Sequence, residues 1–362
     1  MLVMRTCVSE LDRVLRAKLH TILLLVLTFC LAGCGSSNHH FVYTVGTNSE
    51  GIFSFEEASE GLSKISGSPF STGSVPTAIA VTPSRTFAYV LSSGGNGILT
   101  YTFDKNKGGL VAAAGAVATG AGPVSIAIDP SSQHVYVLNQ GSSSVSAYSI
   151  DSLHGTLTPI SGSPFATISG PVSMAMSGKG DALYVVSPTQ GITSFSVKSD
   201  GSLSGAQAAI PAGTSPAFVT IADSDRFVYV ADSAGNAVVG FSVSGTALTP
   251  ISGTFGTGTT PVALAADPGG KFLFVANQGS NNVSAFSIGS AGALTAISGS
   301  PFSAGTAPSF LIVNHNGDRL YVADRDSGDL ADFSISGSGS LAAASGSPIT
   351  LGMSPAWIAV TD

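Results

Sequence analysis

From Phe41 to the C-terminus, short runs of alternating or continuous apolar residues are separated by polar turns rich in Gly, Ser, Asp and Asn, a pattern that predicts strands. One run recurs with a proline at its head, at Pro76, Pro123, Pro171, Pro216, Pro261, Pro308 and Pro355, spaced 45 to 48 residues apart. An aromatic-Val pair keeps step with it, at Tyr43, Tyr89, Tyr136, Tyr184, Tyr229, Phe274 and Tyr321. Each of these except Tyr43 lies 13 residues after a proline. A self-similar period of this length is the signature of a propeller blade.

Within one period four strand signals appear: Ser125 to Ile128, Val135 to Leu138, Val145 to Ile150 and Leu157 to Phe165. Four antiparallel strands make a blade, so the chain is expected to be all-β, a seven-bladed propeller over residues 41–362. The outer strand carries ISGSPF at Ile65, Ile160 and Ile297, with looser versions at Ile251 and Ser345. Its proline is expected to blunt a sheet edge. The repeat starts at a second strand (Phe41 to Val45) and ends on an innermost one (Pro355 to Val360), so the last strand should complete the first blade and close the ring.

Residues 1–33 break this pattern. Arg13, Arg16 and Lys18 precede an apolar run from Ile22 to Leu31, which ends in Leu31-Ala32-Gly33-Cys34. The segment resembles a bacterial lipoprotein signal peptide, in which Cys34 becomes the lipidated N-terminus. Residues 34–40 then form a tether, ending in His39 and His40, and Gly35 beside the cysteine favours the outer membrane where two membranes exist. The expected partner is thus a membrane, through the anchor on Cys34, in the cell envelope. Cys7, Cys30 and Cys34 are the three cysteines, so the exported domain is expected to hold together without a disulfide.

Removing the signal takes away four of 14 basic and two of 21 acidic residues, leaving a domain about nine units negative. Such a surface is a poor match for nucleic acid, whose binders cluster Lys and Arg. The loops between second and third strands, and those between blades, share one face around the axis, here called the top. Arg85, Lys179, Arg226, Lys271 and Arg319 fall instead in turns between first and second strands, on the bottom, where they read as solvated turn residues. Lys105, Lys107, Lys198, His134, His154 and His315 also map to the bottom.

Arg325 is the basic residue assigned to the top, within Asp324-Arg325-Asp326-Ser327-Gly328. It reads either as a carboxylate-gripping group at the channel mouth or as half of a local ion pair with Asp324 or Asp326. The Asp-x-Asp-x-Gly spacing suggests the start of a calcium loop, but Gly328 stands where a third ligand belongs and no distal Glu follows, so no metal is expected. Asn139, Asp232 and Asn277 open the sister loops, as ligand contacts or as caps of tight turns. With no G-x-S-x-G, H-E-x-x-H or P-loop, no cofactor is expected and catalytic residues stay unassigned. Trp357, Tyr43 and Phe310 are candidates to line or fill the axis.

The strings Tyr136-Val137-Leu138-Asn139-Gln140-Gly141-Ser142 and Phe274-Val275-Ala276-Asn277-Gln278-Gly279-Ser280, each followed by Val-Ser-Ala-Tyr/Phe-Ser-Ile, resemble the seven-bladed lactonase-type propellers. These include bacterial 6-phosphogluconolactonases and surface propellers with Tyr-Val-Thr-Asn repeats. The resemblance covers Phe41 to Asp362 and rests on blade-building residues. It implies two functions: a non-catalytic envelope module binding a protein or glycan, or a hydrolase opening a small lactone. A related branch uses a His, Arg and Glu constellation for which this chain has no matching His or Glu. A phosphorylated substrate would want several cations where the top offers Arg325.

Overall fold

The computed structural model describes residues 39–58, 61–92 and 94–361; the signal segment and Cys34 lie outside them. Seven antiparallel sheets follow one another along the chain. In the third blade the order from the axis outward is Pro123–Ile128, His134–Asn139, Ser144–Ile150 and Leu157–Pro159, with Phe165–Ala166 pairing separately on the third strand. The apolar core is divided accordingly. Buried side chains form seven clusters, one at each seam between neighbouring blades.

The ring closes as the two ends of the repeat require. Phe41–Gly46 pairs with Gly51–Ala58 on one side and with the C-terminal Pro355–Val360 on the other, Val42 facing Val360 and Thr44 facing Ile358. Both ends of this joint are tied: Phe41 N donates to Thr361 Oγ1 (2.8 Å) and Thr361 N to the Phe41 carbonyl (3.0 Å), while Ser354 N donates to Asn48 Oδ1 (2.7 Å). Closure pairs the two sheet edges that an open arc would leave bare. His39 and His40 belong to this packed unit: His39 bonds Glu56 and stacks on Phe41, and the His40 carbonyl accepts from Glu57 N (2.8 Å).

The outer edge differs from the expected single strand. The ISGSPF segment is a turn that interrupts it, because its serine leaves the ladder and bonds sideways. Ser68, Ser163, Ser300 and Ser347 each accept, through Oγ, the N–H of a third-strand residue: Ser54, Ala147, Ala285 and Asp332, at 2.8 to 2.9 Å. A hydroxyl thus replaces a carbonyl where the strand turns away, and the proline sits in that turn instead of on the edge.

The recurring tyrosines join blade to blade. Tyr43, Tyr89, Tyr136 and Tyr229 are fully buried, and each hydroxyl donates to a glycine carbonyl in the next blade's outer turn: Gly108, Gly155, Gly201 and Gly292, at 2.8 to 3.0 Å. Tyr184 reaches Gly245 at 3.4 Å. Burial pushes all these phenols upward, keeping them protonated donors. Glycine is required at the acceptor. At Gly292 φ is +82°, and a Cβ would lie 2.6 Å from the Phe227 ring.

Arg319 departs from its expected solvated role. Its guanidinium donates from Nη1 to both oxygens of Asp332 (3.2 and 3.1 Å), with side chains 14% and 3% exposed. Arg85 is also drawn in, donating to the Lys105 carbonyl and lying over the Phe41 and Phe103 rings. Two outcomes follow from the seam geometry. Tyr229→Phe, which strands the Gly292 carbonyl, should lower unfolding free energy by about 1 kcal/mol in denaturant titrations. Gly292→Ala should cost more, about 2 kcal/mol or above, because strain and overlap add.

Candidate functional site

Except in the fourth blade, whose innermost strand starts at Ser173, each innermost strand begins with a proline opposite the last residue of the second strand. Pro123 faces Asn139, Pro216 faces Asp232, Pro261 faces Asn277 and Pro308 faces Asp324, with a register shift directly after. A proline has no N–H to give the ladder, and the bulge beside it leaves room at the top rim. The four polar side chains stand there. All are buried, from 0 to 4% exposed.

They are turned into the fold. Asn139 Nδ2 donates to Ser146 Oγ (2.9 Å), and Asn277 Nδ2 donates to Asn282 Oδ1 and Ser284 Oγ (both 2.8 Å). Asp232 accepts the N–H groups of Thr214, Ser215 and Gly235, bracing the linker that enters its blade. Glycines of these linkers lie flat on the braces: a Cβ at Gly120, Gly213, Gly258 or Gly305 would come within 2.5 to 2.9 Å of the side chain below.

Asp324 occupies the same place with different chemistry. Its register partner is Asp329, where sister blades have Ser144 or Asn282, and the position of Ser146 or Ser284 is taken by Ala331. Two carboxylates therefore face each other with no amide between them. Among the described residues neither oxygen of Asp324 has a partner in full hydrogen-bond geometry, the Gly305 N–H and the Asp329 carboxyl being its polar neighbours. Burial, then the Asp329 charge, pushes Asp324 from its ordinary 3.8 up to about 8. Burial and the facing charge thus favour the protonated form of Asp324.

Arg325 points outward, its Nε donating to Asp326 Oδ1 at 2.8 Å with both side chains well exposed (41% and 52%). The loop itself is stapled to the blade linker by Arg325 N to the Ala307 carbonyl and Asp326 N to the Thr306 carbonyl, both 3.1 Å. Asp324 and Asp326 diverge, one buried and one in solvent. Among the described residues no three His, Cys, Asp or Glu side chains converge as a metal site.

The axis below this rim is crossed by aromatic rings. Phe310 stacks on Trp357 (centroids 4.4 Å apart, planes 29°), and Phe218 meets Phe310 edge-on at 5.7 Å. Phe218 and Phe310 come from innermost strands two blades apart, so they meet across the channel. Trp357 also packs on the seams of the first three blades, and Phe218 on those from the fifth blade round to the first. Tyr43 is elsewhere, in a blade seam. Phe218 was missed among the axial candidates. The available signal was its position two residues after a repeat proline, shared with Phe310 and Trp357, where sister blades carry Ala or Ser.

The profile described as "Lactonase, 7-bladed beta-propeller" matches residues 36–175 and 206–301, well over half of the sequence. The chain belongs to this lactonase family. The profile leaves unmatched most of the fourth blade, whose outer strand is reduced to Leu203–Ser204 and a single bridge from Ile192 to Ile210, and also residues 302–362, which hold the seventh blade with Asp324 and the closing strand. No curated protein matches the sequence. Among solved structures, a candidate 6-phosphogluconolactonase of Bacteroides fragilis aligns with a TM-score of 0.78 at 19% identity, over 91% of this chain and 99% of that one. A Bacteroides uniformis protein of the same description gives 0.77 at 20%, over 89% and 99%. The periplasmic gluconolactonase of Pseudomonas aeruginosa gives 0.74 at 19%, over 90% and 99%. These likenesses show the shared seven-bladed fold.

The carboxyl pair generates a pH test. Because Asp324 is raised in the folded state, the native protein keeps a proton that the unfolded chain releases between pH 3.8 and about 8. Its contribution is fully present below that window and is lost as pH rises through it. Asp324→Asn restores the amide of the sister blades and should stabilise the protein by about 1–3 kcal/mol at pH 8, the gain vanishing near pH 4. Thermal melts of both proteins across that range read the difference.

Proposed function

We propose that this lactonase-family propeller is an exported, lipid-anchored binding module of the cell envelope, which holds a glycan or protein ligand at its top mouth. The carrying observation is the use of the rim: Asn139, Asp232 and Asn277 are engaged within the fold, and Arg325 is paired with Asp326. Lactone hydrolysis needs an activated water and a donor for the developing oxyanion. The described histidines that bond near the repeat turns, His134 and His154, pair with Asp129 and Asp151 on the bottom. What the axis offers beneath the mouth is an aromatic floor of Phe218, Phe310 and Trp357, suited to stacking on the apolar face of a sugar or side chain.

A second reading, a hydrolase for an unphosphorylated sugar lactone, draws on the Asp324–Asp329 pair. One carboxyl held protonated beside another is an arrangement used in acid–base chemistry. The name of the Pseudomonas aeruginosa protein, a periplasmic gluconolactonase, fits an envelope location for such an activity.

Trp357 is the single tryptophan, so its fluorescence reports the mouth directly. Titration with soluble oligosaccharides should change its emission saturably, and glucono-1,5-lactone should open no faster than in buffer. Accelerated opening that disappears in Asp324→Ala or Arg325→Ala would overturn the binding reading in favour of the hydrolase. Cys34→Ala should move the protein from the membrane fraction to the soluble envelope fraction.

A further inference from the structure

On the bottom face, the seam between the third and fourth blades holds a cavity of about 270 Å³. One wall is the Asp129 to His134 turn of the third blade; the other carries Lys179 and Lys198 of the fourth. At the place of His134 four other blades put a phenylalanine (Phe41, Phe87, Phe227 and Phe272), each ring lying under a left-handed glycine of the next blade. His134 fills the same slot beneath Gly201, where a Cβ would come 2.4 Å from the imidazole. A slot shaped for a phenyl ring thus contains a ring with two nitrogens.

Asp129 determines how that ring is held. Its Oδ1 accepts Gln133 N (2.7 Å) and His134 N (2.8 Å), and its Oδ2 accepts the Ser131 hydroxyl and His134 Nδ1 (3.1 Å). With four donors the carboxylate is saturated, and the imidazole is fixed with Nδ1 towards it, the pair only 11% and 9% exposed. Among the described residues Nε2 has no hydrogen-bond partner, and with Nδ1–H given to Asp129 it is the acceptor nitrogen of the ring. The other nearby carboxylates are also engaged: Asp225 by the N–H groups of Gly178 and Lys179, Asp200 by the N–H and hydroxyl of Ser202. Among the described residues neither Lys179 nor Lys198 has a carboxylate within ion-pair distance, although Asp200 attracts Lys198 from farther away.

We propose that this seam is a binding site for a small oxyanion, a carboxylate or a phosphate monoester, gripped by Lys179 and Lys198 beside the His134 ring that Asp129 holds in place. Lys179 and Lys198 both line this cavity beside the fixed imidazole, and charge-assisted bonds from ammonium donors are the strong kind. The site is separate from the top mouth and needs no residue assigned to it.

The test is a titration of the purified protein with inorganic phosphate and, separately, gluconate, following the histidine ring signals by NMR. The His134 signal, identified by its loss in His134→Phe, should shift saturably at millimolar concentrations of at least one anion. His134→Phe should fold as the wild type does, since sister blades already hold phenylalanine there. The Lys179→Ala/Lys198→Ala double variant should bind about tenfold more weakly, about 1.4 kcal/mol. Response to phosphate alone or to gluconate alone assigns the ligand class. No saturable shift with either, or equal shifts in the double variant, would overturn the site.

Discussion

The fold depends on a buried hydroxyl reaching across a seam. Each blade is a small sheet with apolar faces on both sides, and burying those faces against neighbours is non-directional. The Tyr-to-Gly bond supplies direction, because Tyr89 meets the Gly155 carbonyl only when the two blades sit at one height and one angle. The aromatic two residues earlier, Phe87 in that blade, lies under the same glycine, so packing and hydrogen bonding specify the same geometry. Where the tyrosine is absent, at Phe274, the glycine and its aromatic remain, with Gly339 over Phe272. At the closing seam the Tyr321 hydroxyl faces Glu57 of the first blade, whose carboxyl is raised by burial and bonded by Asn314.

Seen from this constraint, the two faces of the ring are built differently. At the top, polar side chains at the ends of second strands are drawn inward to brace the linkers, and the exposed loop residues include Glu50, Gln140 and the Arg325–Asp326 pair. At the bottom, the aromatic position beneath the glycine tolerates replacement. Arg319 there reaches back to Asp332 within its own blade, while His134 is held by Asp129 and borders a cavity. Substitution in a repeated slot changes chemistry without changing the frame, which is how a repeat fold acquires a local site.

The blade count, the strand order and the ring closure were legible in the spacing of prolines and tyrosines, because each repeats at a fixed place in the ladder. The ISGSPF turn was legible as a motif but not as a shape. A serine that bonds sideways to a third-strand N–H reads, in one dimension, like any serine in an edge strand. A local ion pair for Arg325 could be recognised from adjacency, but not that Asp326 rather than the buried Asp324 is its partner. The Asp324–Asp329 opposition could not, since it arises from cross-strand register and from Ala331 standing where sister blades have serine.

By itself the sequence determined the period and therefore the architecture, since hydrophobic alternation and turn residues act over a few neighbours and are repeated seven times. Only the tertiary structure decided what the individual polar residues do. Asn139, Asp232 and Asn277 face inward, Phe218 joins Phe310 and Trp357 across the axis, and His134 borders a cavity that lysines of another blade also line. The physical reason is that burial, charge proximity and cavity shape depend on residues brought together from separate blades, and no local pattern carries those distances.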